Sequence, residues 1–207
     1  MKKKLSLLLV LVLCFTLFSC VKQPTPTDVA NSYLSAIKSN DTEQLTKLYA
    51  GDISTVSFQA ACDDMSDSFS KELAKNVTTK FTSFEYKISN EIIKDDKATV
   101  DVTIKTYNLG DAFKSAISEY ITEGISLAIS GTSEEEINKL LEDKLSKKIS
   151  EATFDYESTV PLSLTKTKDG WIIDEYSDDS EFLNALTGGI IDTSKDMAES
   201  FGDSETE

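Results

Sequence analysis

Two hydrophobic periods alternate along the chain. From Asp28, the positions Val29, Ala30, Tyr33, Leu34 and Ile37 recur at three- and four-residue steps, which predicts an amphipathic helix ending at Ser39-Asn40. Asp41 is placed to cap a second helix with Gln44 in the reciprocal position, and Leu45, Leu48 and Tyr49 form its apolar stripe before Gly51. A third helix is predicted from about Val56 to Asn76, with Phe58, Ala61, Cys62, Met65, Phe69 and Leu73 on one side. The period then drops to two. Phe84, Tyr86 and Ile88 alternate with Glu85, Lys87 and Ser89, and Ile92 keeps the register. Asp95-Asp96 makes a turn into Ala98, Val100, Val102 and Ile104. This pattern predicts an antiparallel pair with one face covered and one face wet.

Residues 110–150 return to the helical period. Phe113, Ile117, Tyr120, Ile121, Gly124 and Ala128 line one predicted helix, and Gly131 breaks it. Ser133 to Glu136 is a capping box opening a second, whose apolar positions are Ile137, Leu140, Leu141, Leu145 and Ile149. Lys114, Glu119 and Glu123 interrupt the first of these helices, so it does not read as a membrane span. Strand pattern resumes at Phe154 and Tyr156 and runs through Val160, Leu162 and Leu164. Pro161 cannot donate to a ladder and points to an edge or a bulge. Lys168-Asp169-Gly170 turns into a last strand at Trp171, and Phe182, Leu183 and Leu186 suggest a short closing helix. Residues 188–207 read as an acidic, partly loose tail.

The N-terminus reads as an address. Lys2, Lys3 and Lys4 precede a run over residues 5–18 that is apolar except for Ser6 and Thr16. Fourteen such residues suit a signal-peptide core better than a spanning helix, which needs about 20. The run closes on Leu17, Phe18, Ser19 and Cys20, and here the chain resembles a bacterial lipoprotein precursor. The resemblance implies cleavage after Ser19 and a diacylglyceryl group on Cys20. Cys14, preceded by Leu13, is the weaker alternative. The expected organisation is a signal peptide over 1–19, a lipidated tether with two prolines over 20–27, and one domain over 28–187. The expected location is the extracytoplasmic face of the cell membrane.

Composition narrows the chemistry. The chain carries a net charge of −15, and its first nineteen residues hold three lysines and no acid, so the remainder stands at −18. Such a chain lacks the basic patch that nucleic-acid phosphates demand. It is also repelled by an anionic bilayer surface, which leaves attachment to the lipid. There is no histidine and every basic residue is lysine. Ser-His-Asp and Cys-His triads and histidine-ligated zinc are therefore excluded. With Cys14 removed and Cys20 acylated, Cys62 has no partner for a disulfide and reads as a small core hydrophobe.

The order of elements is an α+β arrangement, with helices covering one face of an antiparallel sheet and a helical pair inserted between strands two and three. Two stretches carry a family likeness. Asp28-Val29 is followed by Tyr33-Leu34-x-Ala36-Ile37-Lys38 and Asp41, and Asp169-Gly170-Trp171-Ile172-Ile173-Asp174 stands near the end. Together they resemble small lipoproteins of low-GC Gram-positive bacteria that carry a nuclear-transport-factor-2-like, cystatin-like domain of unknown function. The resemblance spans residues 28–187 and implies a curved sheet wrapped on a long helix, often around a conical pocket. Tyr33, Tyr86, Tyr107 and Trp171 are the candidates to line such a pocket; Tyr156 sits in a similar apolar pattern.

No general base stands out, because nearly every acid falls on a predicted solvent face. The acidic clusters Asp63-Asp64 with Asp67, Glu134 to Glu136 and Asp178-Asp179 lack the spacing of a calcium loop. The expected function is a non-enzymatic binding domain for a small apolar ligand or an envelope partner, with no cofactor. The alternative is a module that docks a membrane enzyme or secretion partner through the 110–150 pair.

Overall fold

The computed structural model describes residues 23–55 and 69–202. Helix α1, Pro26–Ser39, begins on a reciprocal cap. Thr25 accepts from the Asp28 amide, the Asp28 carboxylate accepts from the Thr25 amide, and Pro26 takes a first-turn place where no N–H is needed. Asn40 ends α1 in the left-handed region at φ 51°. Asp41 then caps α2, Thr42–Leu48, by accepting from the Gln44 amide. A short 3-10 turn follows at Ile53–Thr55.

Helix α3 spans Lys71–Thr82, with Ser70 as its cap. This corrects the long third helix expected to stop near Asn76. The described part starts afresh at Ser70 and continues for another turn and a half, because Val77 and Phe81 extend the stripe begun by Leu73. Phe58, Ala61, Cys62 and Met65 lie outside the described residues, as do the signal segment, its Leu17, Phe18 and Ser19, and Cys20.

Four strands form one antiparallel sheet in the order β1-β2-β3-β4: Glu85–Lys94, Lys97–Thr106, Tyr156–Thr167 and Gly170–Ile173. The fold is thus a mixed α+β one with an open sheet. The β1–β2 register shifts between Ser89 and Ile92, where Asn90 sits at φ 51° and donates to Asp101 Oδ2 at 2.7 Å. Pro161 pairs with Asp101 on the β2 side, while β4 pairs only from Leu164 onward. Around Pro161 β3 is therefore locally an edge, as a proline requires.

One sheet face is dry. Ala98, Val100, Val102 and Ile104 of β2 and Val160, Leu162 and Leu164 of β3 meet the Val29–Tyr33–Ile37 side of α1. The short helix α6, Glu181–Leu186, adds Phe182, Leu183, Ala185 and Leu186 to this core. The opposite face carries residues such as Asp101, Thr103, Lys105, Glu157 and Thr159, and is wet. Period two in the sequence is this division seen edge on.

Helices α4, Leu109–Ile129, and α5, Glu134–Glu151, lie between β2 and β3 in the chain and pack on each other as a hairpin. They do not cover the sheet. With α3 they enclose a second apolar cluster of Leu73, Val77, Leu109, Ala116, Leu145 and Ile149. Much of the acidic tail expected over 188–207 is helical, and residues 203–207 lie outside the described residues. Residues Ile190–Gly202 form helix α7, which packs on α4, and Gly110 lies tight against Gly189 and Thr193. Asn184 fixes this return by donating to Asp192 Oδ2 at 2.7 Å and accepting from the Asp192 amide at 3.1 Å.

Candidate functional site

Of the four residues expected to line one pocket, Tyr33, Tyr86 and Trp171 belong to or pack against the main core, and Tyr107 packs against the second cluster. Tyr33 is wholly buried in the main core, and its hydroxyl meets that of Tyr176 at 2.5 Å. Tyr86 lies on β1 and donates to Asn31 Oδ1 at 2.9 Å, which ties the sheet to α1. Tyr107 belongs to the second cluster, with the Lys80 ammonium 3.7 Å above its ring and Phe154 edge-on at 5.1 Å. Trp171, on β4, is half-buried and faces Lys166. Tyr156 approaches Asn184 at 3.5 Å. None of these residues lines either of the two depressions described below. Each carries a structural contact instead.

Burial governs their titration. The Tyr33 phenol is pushed well above its ordinary value because it is out of water, against the smaller opposing effect of its bond to Tyr176. Tyr176 is raised well above its ordinary value for the same first reason. Neither is a poised acid or base. Burial in the second cluster lowers the Lys80 ammonium. Among the described residues no set of three or more acids or cysteines is placed to hold a metal ion.

What the structure does assemble is a groove on the distal half of the α4–α5 hairpin. Its volume is about 310 Å³, and its lining is Tyr120, Ile121, Gly124, Ile125, Ala128 and Ile137. Tyr120, Ile121, Gly124, Ala128 and Ile137 belong to the apolar stripes that predict the two helices. The stripe is buried only near the base, at Ala112, Ala116, Leu145 and Ile149. Toward the tip Ile125 is 58% exposed and Ile129 83%. The reason is length: α4 has 21 residues and runs about 31 Å at 1.5 Å per residue, beyond the reach of α3. Ion pairs join the two helices on the other side. Lys144 bonds Glu119 at 3.3 Å and Glu123 at 2.5 Å, while Lys148 reaches Glu119 at 2.5 Å.

The root of the hairpin and the N-terminal end of α1 occupy opposite ends of the sheet. The Thr27 amide and hydroxyl both donate to Glu91 Oε2, at 2.9 and 2.7 Å, which puts that end of α1 near the β1–β2 turn. The hairpin departs from the other end, where Thr106 pairs with Tyr156. Ten residues of β2 separate the two, about 33 Å at 3.3 Å per residue.

A second depression of about 290 Å³ opens near the β1–β2 turn, lined by Ile92, Lys94, Lys97, Ala98, Thr99, Ser163 and Asp174. Lys97 Nζ there reaches Thr165 Oγ1 at 2.5 Å and Asp174 at 3.4 Å, so its charge is already partnered.

No protein-family model matches the chain, and no curated protein does. Among solved structures, ycdA, a candidate lipoprotein from Bacillus subtilis, is similar over 79% of this chain with a TM-score of 0.50 and 16% identity. The likeness is one of fold. The chain spans 56% of that protein's length.

Proposed function

We propose that this protein is a lipid-tethered, non-enzymatic binding module on the extracytoplasmic face of the membrane, and that its α4–α5 hairpin is the docking element. One observation carries the reading: the α1 end that would join the tether and the root of the hairpin, whose distal turns are exposed, lie at opposite ends of the sheet. A chain held through Cys20 would then present the hairpin away from the bilayer. The ycdA likeness and the Leu17-Phe18-Ser19-Cys20 stretch support the tether. Helix α1 lying along the dry face of the sheet suits the nuclear-transport-factor-2-like class, with the hairpin as its insertion. Among the described residues no helix is long and apolar enough to cross a membrane.

The small-ligand form of the binding reading has less support. Tyr33, Leu34, Ile37, Phe84 and Ile104 fill the sheet–helix interface with fully buried side chains. Two measurements test the proposal in cells. Cys20→Ala should release the protein to the medium, and retention on the membrane would overturn the tether. A photo-crosslinking residue at Ile129 should give an adduct with an envelope protein. One at Lys168, on the β3–β4 turn, should not. Adducts from Lys168 alone would overturn the hairpin as the docking element.

A further inference from the structure

The distal groove has the form of a helix-binding surface. Gly124 and Ala128, one turn apart on α4, make a low floor between the side chains of Tyr120, Ile121, Ile125 and Ile137. A Cβ on Gly124 would meet only Tyr120, at 3.9 Å, so another backbone could approach there. Ile129 extends the apolar strip at 83% exposure. Among the described residues four large hydrophobic side chains are exposed, and two of them, Ile125 and Ile129, lie here. Apolar grooves of this kind recognise amphipathic helices through anchors at i, i+3, i+4 and i+7.

Charge selects the occupant. Glu135, Glu136 and Glu142 stand on the distal turns against Lys139, while Glu119, Glu123, Lys144 and Lys148 neutralise one another in ion pairs. The whole chain carries −15. A second copy would bring the same negative charge, and an anionic bilayer would repel the surface. Resting on the docking reading above, we propose that this groove takes a cationic amphipathic helix of another protein. Its apolar stripe would lie along Gly124 and Ala128, with its lysines or arginines facing the surrounding carboxylates.

The test uses a synthetic leucine–lysine peptide of about 18 residues, five turns of helix, and a leucine–glutamate peptide with the same apolar stripe. Binding to the protein from residue 21 onward is followed by fluorescence anisotropy. The lysine peptide should bind, weaken with added salt, and lose at least about tenfold in affinity to Gly124→Leu. Leucine at 124 fills the groove while replacing a poor helix former, so circular dichroism should be unchanged or more helical. Ile92→Asp, at the other end of the sheet, should bind as the parent does.

Equal affinity for parent and Gly124→Leu, or equal binding of the glutamate peptide, would overturn the inference. So would self-association, or binding to phosphatidylcholine vesicles, that Gly124→Leu abolishes, since the occupant would then be a second copy or a lipid surface. The two readings fail separately. Loss of peptide binding with Ile129 adducts intact removes only the cationic partner, whereas loss of the adducts removes the docking role itself.

Discussion

The hydroxyls of Tyr33 and Tyr176 lie 2.5 Å apart although 143 residues separate them in the chain. Around this bond four rings converge. Tyr33 stacks on Tyr49 at 5.7 Å and on Phe182 at 6.3 Å, and Tyr176 approaches the same two rings at 4.9 and 5.1 Å. The arrangement pins α1 to the segment between β4 and α6. Removing one hydroxyl leaves the other without its partner in a dry site, so Tyr33→Phe and Tyr176→Phe should each cost about 1–3 kcal/mol. Removing both should cost less than the sum, since the second change leaves nothing unpaired. Urea unfolding at constant slope measures this; strict additivity would mean that the two hydroxyls do not depend on each other.

The same burial predicts sensitivity to alkali. Tyr33 and Tyr176 hold their protons well above the ordinary phenol value of 10.0, and burial also raises Tyr49, Tyr86 and Tyr156. The folded state therefore binds more protons than the unfolded state once pH passes 10. Stability should be fully present below that value and fall as pH rises, by about 1.4 kcal/mol per pH unit for each tyrosine still protonated in the fold. Phenolate absorbance should show a slow fraction that ionises only on unfolding. A single fast titration of all seven tyrosines would contradict the burial.

Period and capping made most of the fold legible. Alternation at 98–104 and 160–164 marks the dry strand face, and Asp41 and Ser133 cap the helices that follow them. Ile92 does not keep the register as expected: it lies past the shift after Ser89 and is exposed. Two features escaped. Helix Ile190–Gly202 packs on α4 around Gly110, about 80 residues away in sequence, so no local pattern signals its partner. The distal hairpin stripe looks like core because periodicity reports an apolar face without reporting what covers it. The tyrosines misled for a related reason. An apolar pattern around Tyr33, Tyr86 and Tyr107 suits a pocket wall and a core equally well.

Gly188 is a position where only glycine fits. Its φ is 63°, and a Cβ there would lie 1.9 Å from the Tyr107 carbonyl oxygen, while the Gly188 carbonyl accepts from the Gly110 amide at 2.9 Å. Gly188→Ala must therefore move the junction between α6 and α4, at a cost of about 3 kcal/mol or more when overpacking adds to left-handed strain. Gly131→Ala is the matched control. It too has positive φ, at 80°, but open space around it, so only the strain of about 1–2 kcal/mol should appear. Thermal melts of the two variants should differ clearly. Equal melting points would mean that the Gly188 junction yields freely.

The ion pairs along the hairpin should govern its local opening rather than global stability. Lys144 is the shared cation of Glu119 and Glu123, and Lys148 adds a second bond to Glu119. Hydrogen bonds from Lys148 and then Lys144 hold the Glu119 carboxyl below its ordinary value of 4.5. A depressed carboxyl contributes above its unfolded value and loses that contribution as pH falls through the folded one. Lys144→Met keeps the aliphatic stem and removes the charge, so Glu119 and Glu123 then repel across one helical turn. Amide exchange should speed up through the distal turns of α4 and α5 while the β2 amides stay protected. Lowering pH below about 4 should produce the same pattern in the parent protein. If the distal amides of Lys144→Met exchange as slowly as the parent's at neutral pH, apolar packing at Leu141 and Leu145 alone holds the hairpin closed, and the acid effect should vanish with it.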